Sequence, residues 1–140
     1  MSWQSYVDTL MGDGRSCQDA AVVGYKDDKY VWASCCGGKF ASITPKEIDV
    51  LLSNDRESFF IHGLTLGNVK CSVLRDGFTV EGDWTMDLRT KDAGGGPTYN
   101  ITVARSDKAL VFVMGKEGVH GGKLHMQAHD MAFYLRKVGY

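Results

Sequence analysis

The residues with chemistry to offer fall in a few short stretches. Gly115-Lys116-Glu117-Gly118-Val119-His120-Gly121-Gly122 is a glycine-rich bend ahead of a helical pattern, as in a phosphate loop. Its lysine follows the first glycine and no Gly-Lys-Ser/Thr opens the helix, so the nucleotide pattern is not met. What remains is a weak anion site at a helix start, where Gly121-Gly122 leaves amides exposed. His125 and His129 stand four apart and could meet one metal, but HExxH and further ligands are absent. They are predicted to face solvent with no metal bound. Asp27-Asp28 lies in a polar turn and reads as a solvated loop, not an acid–base pair. Cys35-Cys36 sits beside Gly37-Gly38 at a turn, reactive if exposed, while Cys17 and Cys71 read as small core residues. No CxxC and no zinc spacing is present. No GxSxG occurs, and no nucleophile, base and orienting group assemble. The expectation is a binding protein without cofactor, not an enzyme.

The elements that position these residues begin at the end of the chain. Leu110 to Met114, LVFVM, is an unbroken apolar run of strand length, as in a strand covered on both faces. From Leu124 the period becomes helical: Leu124, Ala128, Met131, Leu135 and Val138 form one stripe, with Gln127, Asp130 and Lys137 opposite. Ser2 can cap a first helix through about Met11, held by Val7, Leu10 and Met11 and broken at Gly12-Asp13-Gly14. Cys17–Tyr25 and Tyr30–Ser34 read as strands around a Lys26–Lys29 turn. A short strand is expected near Phe40. Thr44-Pro45-Lys46-Glu47 opens a helix with a capping box, with Ile48, Leu51 and Leu52 as its apolar face.

The middle of the chain alternates. Val69, Cys71 and Val73 oppose Lys70, Ser72 and Leu74; Trp84, Met86 and Leu88 oppose Asp87, Arg89 and Lys91; Tyr99, Ile101 and Val103 oppose Asn100, Thr102 and Ala104. Short turns between these runs predict antiparallel pairing, with Lys70, Arg89, Lys91, Thr98 and Asn100 on the polar face. The fold class is α+β: a central antiparallel sheet, terminal helices together on one side and short helices on the other.

A length of 140 residues suits one domain. A net charge of −1 argues against a general nucleic-acid binder. No secretory signal or membrane-length run is seen, so the thiols are read as reduced in the cytosol. The surplus aromatics are more informative: Trp3 and Tyr6 near one end, Trp32 on an early strand, Tyr134 and Tyr140 at the other end. If the terminal helices lie side by side, these rings line one shallow groove of the kind that docks polyproline II segments. The alternative is that Trp3 and Trp32 are ordinary core.

WQSYVD, CQDAAVVGYKD, YVWA, ITPKEID, GLTLG, KCSVLRD, MDLRTK, GGGPTYN and LVFVMGKEGVHGG, in that order, resemble profilin, the small actin-monomer-binding family, in its vertebrate form. The resemblance covers essentially the whole chain, residues 1–140. It implies a proline-rich-peptide groove at Trp3, Tyr6, Trp32, Tyr134, Leu135 and Tyr140; some profilins have His where Tyr134 stands. It implies an actin surface at Phe60, Ile61, Lys70, Ser72, Val73, Leu74, Arg75, Asp83, Arg89, Lys91, Thr98, Asn100, Val119, His120 and Gly122, continuing to His125, Met126 and Asp130. Asn is usual at 125 and Lys at 126, so this chain is expected to bind actin with less salt dependence and lower affinity. Phosphoinositide headgroups are expected at Lys70, Arg89, Lys91, Arg136 and Lys137. The resulting expectation is a cytoplasmic, cytoskeletal adaptor carrying monomeric actin and docking proline-rich factors such as formins. The alternatives are a proline-peptide scaffold with weakened or lost actin binding, and a small-ligand or redox domain using Cys35-Cys36 or the glycine bend.

Overall fold

A computed structural model describes residues 2–12 and 14–140. The elements run α1 (Trp3–Met11), β1 (Cys17–Gly24), β2 (Val31–Ser34), a 3-10 turn (Lys39–Ser42), α2 (Pro45–Leu51), α3 (Ser58–His62), β3 (Leu64–Leu66), β4 (Val69–Gly77), β5 (Thr85–Thr90), β6 (Asn100–Arg105), β7 (Ala109–Gly115) and α4 (Gly121–Lys137). The seven strands form one sheet in the order β2-β1-β7-β6-β5-β4-β3, antiparallel at every pairing.

Both faces of the sheet are covered, which explains the unbroken apolar run in β7. Leu110, Phe112 and Met114 point into a core with Phe40, Ile48, Leu51, Phe59, Phe78, Met86 and Leu88. Val111 and Val113 point into a second core with Val7, Leu10, Leu124, Ala128, Ala132 and Leu135, beneath α1 and α4. Every β7 residue is buried, so alternation is invisible in composition although it governs the packing. The terminal helices share one face, as expected.

The ends of the helices follow local chemistry. The Ser2 hydroxyl accepts from the Ser5 amide at 3.3 Å. The breaker after α1 includes Asp13, which lies outside the described residues; Gly12 closes the helix at φ +57°. The predicted capping box of α2 is complete: Thr44 Oγ1 accepts from the Glu47 amide at 3.2 Å and Glu47 Oε1 from the Thr44 amide at 3.0 Å. Glu47 also accepts from the Gly67 and Asn68 amides at 3.0 and 3.4 Å, so a buried carboxylate ties α2 to the β3–β4 turn.

The structure corrects several expectations. The segment around Phe40 is a 3-10 turn, not a strand. Its Phe40 amide donates to the buried Asp19 carboxylate at 2.9 Å, a side-chain partner where a strand would need a backbone one. Helix α3 and strand β3 had no clear sequence signal, being five and three residues long. Trp84 does not share a face with Met86 and Leu88. It precedes β5 with φ +49°, and its ring meets Arg136 of α4 at 3.6 Å, because the positive φ breaks the strand alternation. On α4, Ala132 is buried while Val138 is 46% exposed beyond the last turn.

Candidate functional site

The first candidate site grows from the aromatic residues. Ser2 starts α1 so that Trp3 and Tyr6, three apart, project from one side. The Gln4 side chain donates to the Ser34 carbonyl at 3.3 Å and fastens α1 to β2, which brings Trp32 under Trp3. Gly24 is what lets Trp32 lie there: a Cβ at Gly24 would stand 2.5 Å from Trp32 Nε1. From α4 comes Tyr134, and from the chain end Tyr140. The Tyr140 amide donates to the Leu135 carbonyl at 2.7 Å, and its carbonyl accepts from the Ser106 hydroxyl at 2.7 Å.

These segments bring the rings together. Trp3 and Trp32 are 4.6 Å apart between centroids, Trp3 and Tyr140 4.9 Å, Trp3 and Tyr6 5.4 Å, Tyr6 and Tyr134 6.1 Å. Trp3, Tyr6 and Trp32 are half-buried; Tyr134 and Tyr140 are exposed. Trp3 and Trp32 therefore both pack on the core and present a face outward. Leu135 is completely buried beneath them and supports the floor without offering it surface. Burial, and then the neighbouring Tyr134, push the Tyr6 phenol above its ordinary value, so the Tyr6 hydroxyl stays a protonated donor at neutral pH. Rings with N–H and O–H donors above an apolar floor suit a ligand rich in apolar surface and free carbonyls.

The second candidate surface lies where α4 ends its cover of the sheet. Ser72 pairs with Arg89, and Arg89 with Asn100, so these residues stand in a row across β4, β5 and β6. Arg89 Nε donates to Thr98 at 2.7 Å and its Nη1 to Asn100 at 3.0 Å; Asn100 Nδ2 donates to the Val119 carbonyl at 3.1 Å. A cavity of about 440 Å³ joins Arg89, Thr98, Asn100, Val119, His120 and Gly122. The His120 ring accepts from the Gly122 amide at 3.3 Å as the cap of α4, so the glycine bend has a structural task.

Beside this row lies a charged network. Arg75 donates to Asp83 at 2.7 Å and to Asp87 at 2.8 Å. The Asp83 hydrogen bond holds the Arg75 guanidinium above its ordinary value. Asp87 also accepts from Thr102 at 2.8 Å and lies 3.3 Å from His125 Nδ1. Phe60, Ile61, Leu74 and Met126 are exposed apolar side chains, at 54, 76, 56 and 57%. Val73, also expected at this surface, is buried at 7% exposure and faces the other core. Asp130 is exposed on α4 but lines a different cavity, with Tyr6 and Tyr134.

His125 and His129 are half-buried, not solvent-facing as expected, with rings stacked at 6.3 Å and 9°. Parallel rings do not converge on one ion, and no group of three or more metal ligands occurs among the described residues. All four cysteines are free. Burial pushes the Cys17 and Cys71 thiols up to about 11 and about 12, which suits core residues.

The expected headgroup cations do not form one cluster. Lys70 and Lys91 line a cavity of about 800 Å³ together with Lys46 and His62, two residues the sequence reading missed. His62 ends the unforeseen α3, and Lys46 looked like an ordinary first-turn residue. Arg136 is elsewhere: it donates to Asp107 at 2.7 Å and to the Arg105 carbonyl at 2.8 Å, and covers the Trp84 ring. It is an internal brace. Lys137 is exposed at the end of α4.

Comparison with known proteins agrees with this architecture. The sequence model of the family Profilin matches residues 1–140. Profilin-2 of Rattus norvegicus is 63% identical over 138 residues, covering 99% of this chain and 98% of its own. Profilin-1 of Homo sapiens is 54% identical over the same length and coverage. The structure of mouse profilin IIa in complex with a double repeat from the FH1 domain of mDia1 has a TM-score of 0.97 at 62% identity, with 100% of both chains covered. A full-length sequence match and a superimposable sheet with paired terminal helices lead to one assignment: the chain belongs to the profilin family.

Proposed function

We propose that this chain is a cytoplasmic, cytoskeletal adaptor, acting as one domain over residues 1–140, that binds monomeric actin and docks proline-rich segments of assembly factors such as formins. The observation that carries the reading is the convergence of Trp3, Tyr6, Trp32, Tyr134 and Tyr140 from separate segments onto one surface. A proline-rich ligand matches that surface: it is already extended, loses little entropy, and offers carbonyls to the ring donors. Bond chemistry has no part in this reading.

The actin contact is assigned to the row Ser72–Arg89–Asn100, its exposed neighbours Phe60, Ile61, Lys70, Leu74, Lys91 and Met126, and the bend at Val119, His120 and Gly122. Arg75, Asp83 and His125 support it through their shared network. Binding here is a matter of shape and charge, and the missing lysine at Met126 removes one charge from it. A phosphoinositide headgroup is assigned to the cavity of Lys70 and Lys91, with Lys46 and His62 added. The Glu47 carboxylate in that cavity is occupied by backbone amides.

The test has two arms. Tryptophan fluorescence during titration with a proline decamer is expected to saturate in the parent and to stay flat in Trp3→Ala. Inhibition of actin polymerisation is expected in the parent and to be reduced in Arg89→Ala. A second reading, a proline-peptide scaffold without actin binding, is favoured by Met126; a positive first arm with no actin effect in the parent would select it.

A further inference from the structure

The aromatic floor ends in two unlike cavities. At the Tyr6–Tyr134 end, about 460 Å³ is lined by Thr9, Leu10, Gln127, Asp130 and Met131 besides the two tyrosines. At the Trp32–Tyr140 end, about 350 Å³ is lined by Trp3, Asp27, Asp28, Tyr30, Trp32, Lys108 and Tyr140. The second cavity shares three of its rings with the floor, so a ligand leaving the floor at that end passes directly into it. There it meets two exposed carboxylates, Asp27 and Asp28, for which no hydrogen bond or ion pair occurs among the described residues. Lys108 lines the same cavity with its Nζ 5.7 Å from the Tyr140 ring centroid, so the lining carries two carboxylates and one ammonium.

Carboxylates only accept hydrogen bonds, and a proline has no N–H to give. The aspartate pair therefore does nothing for the prolines on the floor. The group it can engage is a donor of opposite charge, a lysine or arginine in the same peptide. We propose that the groove prefers proline-rich segments carrying a basic side chain just beyond the residues on the rings, lodged against Asp27 and Asp28. This rests on the reading of the aromatic floor as the proline site. A polyproline II segment advances about 3.1 Å per residue. The ring-to-ring steps of 6.1, 5.4 and 4.9 Å from Tyr134 to Tyr140 therefore hold no more than about five residues, and the basic side chain falls immediately after them. The acidic end also gives the bound peptide a direction.

The experiment compares three peptides by tryptophan fluorescence: a plain proline decamer, one with two lysines added after it, and one with two lysines added before it. One of the two lysine peptides is expected to bind about two- to five-fold tighter than the plain decamer at low salt, the range of one or two exposed ion pairs. The gain is expected to shrink as salt screens it. In an Asp27→Asn/Asp28→Asn variant, shown folded by near-ultraviolet circular dichroism, the ratio of the peptides' affinities is expected to fall to one. Equal affinities in the parent, equal gains from both lysine placements, or a ratio unchanged in the variant would each overturn the proposal; the net charge of −1 provides little general attraction to imitate it. If the plain decamer itself fails to bind, the proline reading falls first and this inference with it.

Discussion

Single atoms decide how the aromatic floor is made. Gly24 is required by contact, not by turn geometry: an added Cβ would meet the Trp32 indole at 2.5 Å and the Asp28 carbonyl at 2.7 Å. Gly24→Ala is therefore expected to displace Trp32 and weaken proline-decamer binding at least several-fold, with a shifted tryptophan emission; unchanged emission and affinity would show that the ring does not depend on this space. The cysteines divide by burial in the same direct way. Cys36 is exposed and Cys35 half-buried, whereas Cys17 and Cys71 are buried at 1 and 0% exposure with thiols held at about 11 and about 12. Thiolate, not thiol, reacts with alkylating agents. Timed alkylation read by mass spectrometry is expected to label Cys36 first, Cys35 more slowly, and Cys17 and Cys71 only on unfolding. The core reading of Cys17 and Cys71 agrees with their burial: Cys71 is on an inward position of the alternating β4, and Cys17 is on β1, which is covered on both faces. The sequence reading could not rank Cys35 against Cys36, since that depends on which one tucks under α1.

Between elements, the braces are charged and none was visible in advance. Arg56 follows α2, donates to the Leu51 and Ser53 carbonyls, and binds Asp76 of β4 through two nitrogens at 2.8 and 2.7 Å. Burial opposes ionisation of Asp76, but the hydrogen bonds from Arg56 and from the Phe78 amide outweigh it and hold the carboxyl below its ordinary value. A folded value below the unfolded one adds stability that is present above the ordinary aspartate value, near pH 4, and lost as pH falls through the folded value. Melting temperatures taken between about pH 5 and pH 2.5 are expected to fall in the parent and to fall less steeply in Asp76→Asn, which starts lower; parallel declines would remove Asp76 from the acid limb. The Arg136 brace is of the same kind, stacking on Trp84 and tying α4 to the β6–β7 turn through Asp107. Arg136→Ala is expected to cost about 1–3 kcal/mol in denaturant unfolding, the combined range of a stacked cation and its hydrogen bonds. A loss of headgroup binding without that destabilisation would return Arg136 to the surface role expected from the resemblance. Trp84 and Arg136 are 52 positions apart, so no local period links them.

For the whole molecule, the two surfaces share the helix-covered face of the sheet but stand at different places along it. The aromatic floor lies at the β2–β1 edge beneath α1 and the end of α4; the Ser72–Arg89–Asn100 row lies across β4, β5 and β6, toward the other edge. Strand β7 stands between them in the sheet, so a ligand on one is expected to leave the other open. Saturating proline decamer is expected to leave actin affinity within about two-fold, a coupling below the 1–3 kcal/mol usual for allosteric pairs. Met126→Lys is expected to tighten actin binding and steepen its salt dependence, as a restored interface charge does; equal affinity and salt slope in parent and variant would show that residue 126 lies outside the contact.

The sequence by itself determined the fold class, the capping box at Thr44–Glu47, the both-faces burial of LVFVM and the polar row of the sheet. Each is a short-range pattern: a cap closes within one turn and a strand alternates every second residue, so neighbours in the chain carry the whole signal. It determined the aromatic residues of the floor but left open whether Trp3 and Trp32 were core or groove. Only the tertiary structure showed that they are half of each, because the answer depends on Gly24, Gln4 and Tyr140 meeting across the chain. It alone decided that Trp84 faces α4, that Arg136 is a brace, and that Lys46 and His62 join Lys70 and Lys91. Those outcomes depend on side chains brought together by sheet register and helix docking, distances that no local spacing encodes.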